Sequence, residues 1–226
     1  MLECLFFFSC DSPLREEDDV DSAQGQPLAP SSQKVSSVQR QHHMTRPTPD
    51  PYLVPNTSLV SKALRAVWGI AYVLLFRPSP RPMHRWRAWM LRRFGATLGP
   101  DCHIYAKARI WAPWNLHCED AVAIADDAEI YNPTKVELRS HAIVSQGAYL
   151  CGASHDVNDA AFPMVSGPIV IGRYAWVCAR ASVQMGVTIG DGAVLGLGAV
   201  ATRDLEPWTV YGGIPARPIS RRRVIS

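Results

Sequence analysis

From residue 171 onwards the sequence repeats with a period of six residues. The first and fifth residues of six consecutive units are all apolar, and polar residues occupy only the other positions. The first positions are Ile171, Val177, Val183, Ile189, Leu195 and Ala201, and the fifth positions are Ala175, Ala181, Val187, Ala193, Ala199 and Leu205. A unit this short has no room for a helix and its loop, so it predicts one short strand followed by a turn.

Three such units make one triangular coil whose first positions point inward. Stacked coils then place Ile171 over Ile189, Val177 over Leu195 and Val183 over Ala201. Each coil covers the apolar interior of the next, which is how solenoids gain stability. Glycines that can take positive φ are expected at the corners, namely Gly172, Gly186, Gly190, Gly192, Gly196 and Gly198. The predicted fold class is therefore an all-β solenoid.

The same period extends back towards residue 96, with inward positions at Leu98, Ile104, Ile110, Leu116, Ile124, Ile130, Leu138, Val144 and Leu150. The steps from 116 to 124 and from 130 to 138 are eight residues long, which predicts small bulges at those corners. The step from 150 to 171 contains ASHDVNDAAFPMVSGP. A loop of that length is usually functional or disordered. We expect a solenoid over 96–210 with one long loop, 151–170, and a C-terminal extension over 211–226.

Composition excludes some classes of function. The formal net charge of +3 is too small to indicate nucleic-acid binding. Six cysteines without a CxxC spacing indicate reduced thiols in a cytoplasmic protein, and no motif predicts a metal.

The N-terminal region carries no periodic apolar pattern. Its start lacks a basic leading segment and has only a short apolar run, so it does not indicate an export signal. Ser, Pro, Gln and Asp dominate the following stretch, which predicts a disordered tail over 1–57. Because Met44 stands just before the organised sequence, residues 1–43 are either a real tail or an over-long reading of the gene.

Residues 58–95 predict an amphipathic helical segment, SLVSKALRAVWGIAYVLLF followed after three prolines by MHRWRAWMLRRFG. Lys62 and Arg65 leave only residues 66–76 free of charge, about half of the roughly 20 residues that a membrane-spanning helix needs. Residues 77–93 hold six arginines and no acid. Two interpretations stay open. The helices pack on the main domain, or residues 58–94 lie at the inner membrane surface with arginines at anionic head groups.

Several motifs resemble one family of enzymes. ARIWAPWNL, QGAYLCGASHD, PIVIGRYAWV and WTVYGGIPARPI together are similar to the WcaF-like colanic acid biosynthesis acetyltransferases, and LLFRPSPRPMHRW belongs to the same resemblance. The resemblance covers about residues 59–222. It implies a left-handed parallel β-helix of hexapeptide repeats, assembled as a homotrimer with active sites between subunits.

The resemblance also implies a reaction, transfer of an acetyl group from acetyl-CoA to a sugar hydroxyl of an exopolysaccharide precursor or lipid-linked glycan. Such a hydroxyl needs a general base, and His155 lies in the SHD motif where relatives carry theirs. Asp156 either orients the ring or solvates the loop. Asn132 is either an acceptor-binding residue or a turn former, and Tyr131 is a candidate for stacking on the sugar.

For the cofactor, the resemblance points to the outer groove of the later coils. The candidate acetyl-CoA-binding residues are Trp176, Ala179, Gly196, Gly198, Thr202, Arg203 and Arg217. The two arginines are candidates for the CoA phosphates, with ordinary solvated surface as the alternative. Competing functions on the same fold are serine or antibiotic O-acetylation and a non-catalytic scaffold. A zinc-dependent type is disfavoured, because the loop offers a single histidine.

Overall fold

A computed structural model describes residues 59–159 and 161–223, and the expectations for residues 1–57 lie outside them. The described helical elements are α1 (Leu59–Ala71), a π-helical turn (Tyr72–Phe76), α2 (His84–Arg93) and a 3₁₀ turn (Pro113–Asn115). The described strands are β1 (Thr97–Leu98), β2 (His103–Ile104), β3 (Arg109–Ile110), β4 (Leu116–Cys118), β5 (Ala123–Ile124), β6 (Glu129–Tyr131), β7 (Val136–Leu138), β8 (Ile143–Val144), β9 (Tyr149–Cys151), β10 (Ala153–His155), β11 (Met164–Ser166), β12 (Ile169–Ile171), β13 (Trp176–Val177), β14 (Ser182–Gln184), β15 (Thr188–Ile189), β16 (Val194–Leu195), β17 (Val200–Ala201), β18 (Thr209–Gly212) and β19 (Arg217–Arg221).

The strands form a three-sided parallel solenoid of about six turns. Sheet A orders its strands β1-β4-β7-β12-β15, sheet B β2-β5-β8-β13-β16-β18-β19, and sheet C β3-β6-β9-β14-β17. The chain therefore passes from A to B to C in each coil and returns to A. Ile171 pairs with Ile189, Val177 with Leu195 and Val183 with Ala201, which confirms the predicted stacking. These inward side chains are fully buried and form one continuous core.

One part of the predicted register is wrong. Cys118, not Leu116, is the inward residue that continues the column from Leu98 to Leu138. The first eight-residue step thus runs from Ile110 to Cys118, because the 3₁₀ turn adds residues at the corner before β4. Leu116 is also buried, so its apolar character alone does not distinguish the two positions.

The glycine prediction is half correct. Gly186, Gly192 and Gly198 have positive φ, as expected of corner residues. Gly172, Gly190 and Gly196 do not. A Cβ on Gly172 would lie 2.6 Å from the backbone nitrogen of Asp191 in the next coil, and Gly190 and Gly196 meet similarly close backbone atoms. These three glycines let adjacent coils approach closely instead.

The helical segment covers the first coils. Trp68 is buried, and its indole Nε1 donates to the carbonyl of Ile110 at 2.7 Å. Arg87 of α2 is fully buried and donates from Nε to the carbonyl of Ile104 at 2.6 Å. No earlier coil covers the first one, so its backbone carbonyls find hydrogen-bond donors in α1 and α2. The interpretation that the helices pack on the main domain is confirmed for this face.

The stretch Leu59–Phe76 is helical throughout its 18 residues and has a mean hydropathy of 1.6, so it meets the length and composition of a membrane-crossing helix. The sequence pattern predicted that only residues 66–76 of this helix would be free of charge, a shorter stretch than the whole helix. Within the described structure Trp68 and Phe76 are buried on the protein side of this helix.

At the other end, β18 joins sheet B in parallel with β16 and extends to Gly212. The solenoid thus continues slightly past the predicted boundary at 210. β19 then pairs antiparallel with β18 and ends the sheet.

Candidate active site

The long excursion leaves the solenoid at the corner between sheets C and A. It is not an irregular loop throughout, because β10 and β11 form an antiparallel ribbon in which His155 lies opposite Met164. The ribbon is anchored at its base. The N–H of Gly152 donates to the carbonyl of Tyr131 at 2.7 Å, and Gly167 approaches the backbone of Gly186 too closely for a Cβ. The excursion is therefore a projecting arm fixed between neighbouring coils.

His155 lies at the end of β10 and is partly exposed. Its Nδ1 lies 2.9 Å from the carbonyl oxygen of Phe162, and its ring stacks on the Phe162 ring at 4.6 Å between centroids, 6° from parallel. Because a carbonyl only accepts, Nδ1 must carry the proton in this contact. The neutral ring then presents an unprotonated Nε2, which is the form that a general base requires.

Phe162 is a functional candidate that no sequence motif indicated. It adopts a φ of +44°, a region that a bulky residue rarely enters. That backbone conformation accompanies both the carbonyl contact and the ring contact to His155. Strain of this kind persists where the surrounding structure enforces it.

Asp156 does not orient the imidazole. Its Oδ1 accepts from the N–H of Asn158 at 3.0 Å, so the carboxylate closes its own exposed turn. The sequence left two roles open for Asp156, orienting the His155 ring or solvating the loop, and this contact favours the role in the loop.

Asn132 is fully buried in the corner one coil earlier. Its Oδ1 accepts from the N–H of Ala112 at 2.9 Å, and its Nδ2 donates to the carbonyl of Ala112 at 2.8 Å. Because Ala112 belongs to the preceding coil, the buried amide joins two stacked coils, a role that neither predicted alternative describes. Tyr131 is partly exposed beside it, and its ring meets Trp111 edge-on at 5.3 Å.

The predicted cofactor residues fall into two groups. Trp176 is 43% exposed on sheet B and its Nε1 donates to Ser145 Oγ at 2.8 Å, near the corner between sheets B and C. Ala179, Gly196 and Gly198 lie at that same corner, where the N–H of Gly198 donates to the carbonyl of Ala179 at 3.1 Å. A Cβ on Gly198 would meet open space, whereas one on Gly196 would lie 2.9 Å from the carbonyl of Tyr211. Gly198 thus borders open groove, and Gly196 serves coil stacking.

Thr202 and Arg203 lie at the corner between sheets C and A, the corner from which the arm projects. Arg217 begins β19 at the end of sheet B. Both arginines are exposed and form no ion pair with any residue that the structure describes. One corner therefore gathers His155, Tyr131, Thr202 and Arg203, while Trp176 and the small residues occupy another corner of the same protomer.

A cleft of about 380 Å³ lies between α1 and the outer surface of sheet C. Tyr72 and Trp111 line it, together with Arg65, whose guanidinium lies 4.2 Å above the Trp111 ring, and the Arg109–Glu129 ion pair. The sequence did not predict this cleft, because its walls come from segments far apart in the chain.

The described cysteines 102, 118, 151 and 178 are all free. Burial raises the pKa of the Cys178 thiol, which keeps it protonated. The thiol of Cys151 donates to the carbonyl of Ala153 at 3.2 Å. The raised pKa of Cys178 disfavours its use as a nucleophile. Across 59–159 and 161–223 there is no group of three or more His, Cys, Asp or Glu side chains that could hold a metal ion.

A parallel three-sided solenoid of hexapeptide repeats, with one imidazole on a corner arm, defines the class of hexapeptide-repeat acyltransferases. The chain belongs to the WcaF family of acetyltransferases. It is 36% identical over 156 residues to the putative colanic acid biosynthesis acetyltransferase WcaF of Escherichia coli K12, covering 69% of this chain and 86% of that protein. No protein-family model matches the sequence.

Two solved structures show the same fold. A hexapeptide-repeat acetyltransferase from Vibrio cholerae in complex with acetyl coenzyme A has a TM-score of 0.66 at 22% identity, covering 75% of this chain and 93% of that one. A galactoside acetyltransferase in complex with coenzyme A has a TM-score of 0.68 at 22% identity, covering 75% of this chain and 86% of that one.

Proposed function

We propose that the protein transfers an acetyl group from acetyl-CoA directly to a sugar hydroxyl during exopolysaccharide biosynthesis, with His155 as general base. The observation that carries the proposal is the contact between His155 Nδ1 and the Phe162 carbonyl, which leaves Nε2 free to accept a proton. Family membership supports the acetyl transfer, and the relative's name supports a colanic acid-like product.

In the proposed step the acceptor hydroxyl gives its proton to His155 Nε2 as its oxygen bonds to the thioester carbonyl carbon. The carbon–sulfur bond breaks, and the CoA sulfur leaves with the proton that the imidazolium returns. Direct transfer is supported by the buried thiols, because burial raises the pKa of Cys102, Cys118 and Cys178 and so disfavours the nucleophilic thiolate. An outward-pointing backbone N–H would serve the developing oxyanion.

The residues present fit acetyl-CoA in chemical character. Trp176 offers an exposed aromatic face for the pantetheine arm, and Gly198 leaves open groove beside it. Arg203 and Arg217 offer unpaired positive charge for phosphates. Trp176 and Gly198 are separated from His155 by the face of sheet C, which fits a homotrimer in which two protomers complete each site, so we include that assembly in the proposal.

The proposed acceptor is a sugar, carried as a nucleotide sugar or a lipid-linked glycan. Tyr131 supports it, because this partly exposed aromatic ring in the coil before the arm suits the apolar face of a sugar ring. A cytoplasmic location completes the proposal. The free thiols support that location.

The test is turnover of purified protein, measured as thiol released from acetyl-CoA over a panel of nucleotide sugars, lipid-linked glycans, serine and chloramphenicol. We expect a sugar acceptor to be preferred and His155→Ala to lower turnover by about a hundredfold or more while keeping the melting temperature. His155→Gln is the matched control, because its amide can still donate a hydrogen bond but accepts no proton near neutral pH, so it should be as slow as His155→Ala. Near-normal turnover in His155→Ala would refute the base assignment, and preference for serine or chloramphenicol would refute the acceptor.

A further inference from the structure

The outer face of α1 and its π-helical turn is apolar and exposed. Its large side chains have exposed fractions from 47% at Leu64 to 82% at Leu59, and the set comprises Leu59, Val60, Leu64, Val67, Ile70, Val73, Leu74 and Leu75. A soluble monomer seldom leaves so many large apolar side chains together on one side. We call this surface the α1 outer face.

The helix cannot turn this face inward. Its opposite side carries Trp68 and Phe76, which are buried and in ring contact at 5.6 Å. The hydrogen bond from Trp68 to the Ile110 carbonyl ties that side to the solenoid. The α1 outer face is therefore held pointing away from the protein.

Two tryptophans of α2 extend the surface. Trp86 Nε1 donates to the carbonyl of Leu75 at 3.3 Å, and its ring stacks on Trp89 at 5.1 Å. Trp89 is 50% exposed. Indole rings combine an apolar body with a polar N–H and favour the boundary between lipid and water.

The charged residues of the helical segment itself all have one sign. Residues 59–93 contain seven arginines, one lysine and no acidic residue. Lys62, Arg77, Arg85 and Arg93 are exposed and form no ion pair within the described part of the chain. An apolar face bordered by unpaired cations complements an anionic bilayer, whose phosphates attract the cations while its acyl chains accept the apolar side chains.

We propose that the α1 outer face, with Trp86 and Trp89, docks the protein onto the surface of an anionic lipid membrane as a peripheral protein. The position of the helix suits an acceptor carried by a lipid. α1 contacts the first coil at Ile110, and the arm with His155 leaves sheet C after β9, two coils further on. Stacked strands are about 4.8 Å apart, so the arm begins about 10 Å from that contact along the axis.

The test is co-sedimentation of the full chain with vesicles. We expect binding to vesicles of phosphatidylglycerol and phosphatidylethanolamine, and binding weaker by about tenfold or more on phosphatidylcholine vesicles or at high salt. Arg77→Glu with Arg85→Glu should weaken binding to anionic vesicles by about tenfold or more. Arg173→Glu with Arg223→Glu makes the same charge change away from this face and should leave binding unchanged.

The apolar contribution is tested by Val67→Ser with Leu74→Ser, which should also weaken binding about tenfold. The matched control, Ile214→Ser with Ile219→Ser, removes exposed apolar side chains elsewhere and should bind as the parent does. Both pairs change exposed residues, so melting temperature and acetyl transfer to a soluble acceptor should stay the same. The proposal is overturned if the protein binds neutral and anionic vesicles equally, or if the variants of the α1 outer face bind as well as the parent. It is also overturned if alkaline carbonate fails to release the bound protein. A change of solution mass in Val67→Ser/Leu74→Ser overturns it too, because the face would then join copies of the chain.

Discussion

Replacing Arg87 with methionine should destabilise the solenoid from its first coil. The buried guanidinium donates to four acceptors: the carbonyls of Ile104 at 2.6 Å, Pro80 at 2.9 Å and Arg81 at 2.6 Å, and Ser79 Oγ at 2.9 Å. No acidic side chain pairs with it among the described residues. Three backbone carbonyls and one hydroxyl therefore compensate its charge, and burial lowers the pKa of the group.

The size of the effect follows from which acceptors water can reach afterwards. Pro80 and Arg81 are exposed and regain hydration. The buried Ile104 carbonyl keeps its contact with His84 Nδ1 at 2.9 Å, and the buried Ser79 hydroxyl keeps its hydrogen bond to the Phe76 carbonyl, so each loses only one partner. Because methionine also removes the buried charge, the loss is that of hydrogen bonds from a charged donor, and we expect about 1–3 kcal/mol in the free energy of unfolding. At about 2–4 °C per kcal/mol for a domain of this size, the melting temperature should fall by about 2–12 °C.

The assay is thermal unfolding followed by circular dichroism, with hydrogen exchange of the first coil as a local readout. Arg87→Lys should be intermediate, because one ammonium has three donors and cannot reach four separated acceptors. Arg85→Met changes an exposed arginine of the same helix and should stay within about 0.5 kcal/mol. The reasoning fails if Arg87→Met lowers stability by less than about 1 kcal/mol, or if Arg85→Met has the same effect.

Four further predictions follow from the site and the fold. Phe162→Ala should lower turnover about tenfold at unchanged melting temperature, because the His155 ring loses its packing partner. Turnover of Asp156→Asn should stay within about twofold of the parent, and equal effects of the two variants would contradict this reasoning. Arg203→Ala should raise the KM for acetyl-CoA about tenfold with kcat unchanged, and should have little effect with a donor lacking the 3′-phosphate. Hydrogen bonds from Ser140 lower the pKa of Glu119, so its stabilisation is present above about pH 4.3 and is lost as the pH falls through the lower folded value. The free energy of unfolding of Glu119→Gln should therefore fall less steeply with acid in that range than that of the parent, and parallel curves would refute it. Deletion of residues 1–43 should leave activity within about twofold, and a larger fall would contradict the disorder prediction for that tail.

The solenoid was predictable because its signal is local. Apolar residues recur every six positions, and each inward column, such as Val177 over Leu195, follows from that spacing. The predicted register was wrong at Leu116 because the prediction used only this local signal. Two neighbouring positions, Leu116 and Cys118, are both apolar and both buried, so spacing could not tell which one continues the column.

The candidate site was predictable only in its residue types. The sequence identified His155 as the base through resemblance, but the group that sets its tautomer is the carbonyl of Phe162, seven residues away. The sequence indicated Asn132 as a candidate for acceptor binding, but in the structure its two amide atoms pair with the backbone of Ala112, twenty residues earlier. Contacts of this kind depend on how separate coils stack.

The sequence by itself determined the repeat, the three-sided coil and the single interruption, because six-residue periodicity fixes which side chains turn inward. Only the tertiary structure decided which corner gathers His155, Tyr131 and Arg203, and which side of α1 is buried. These arrangements arise from packing and hydrogen bonding between segments distant in the chain, and a linear pattern of residue types does not record them.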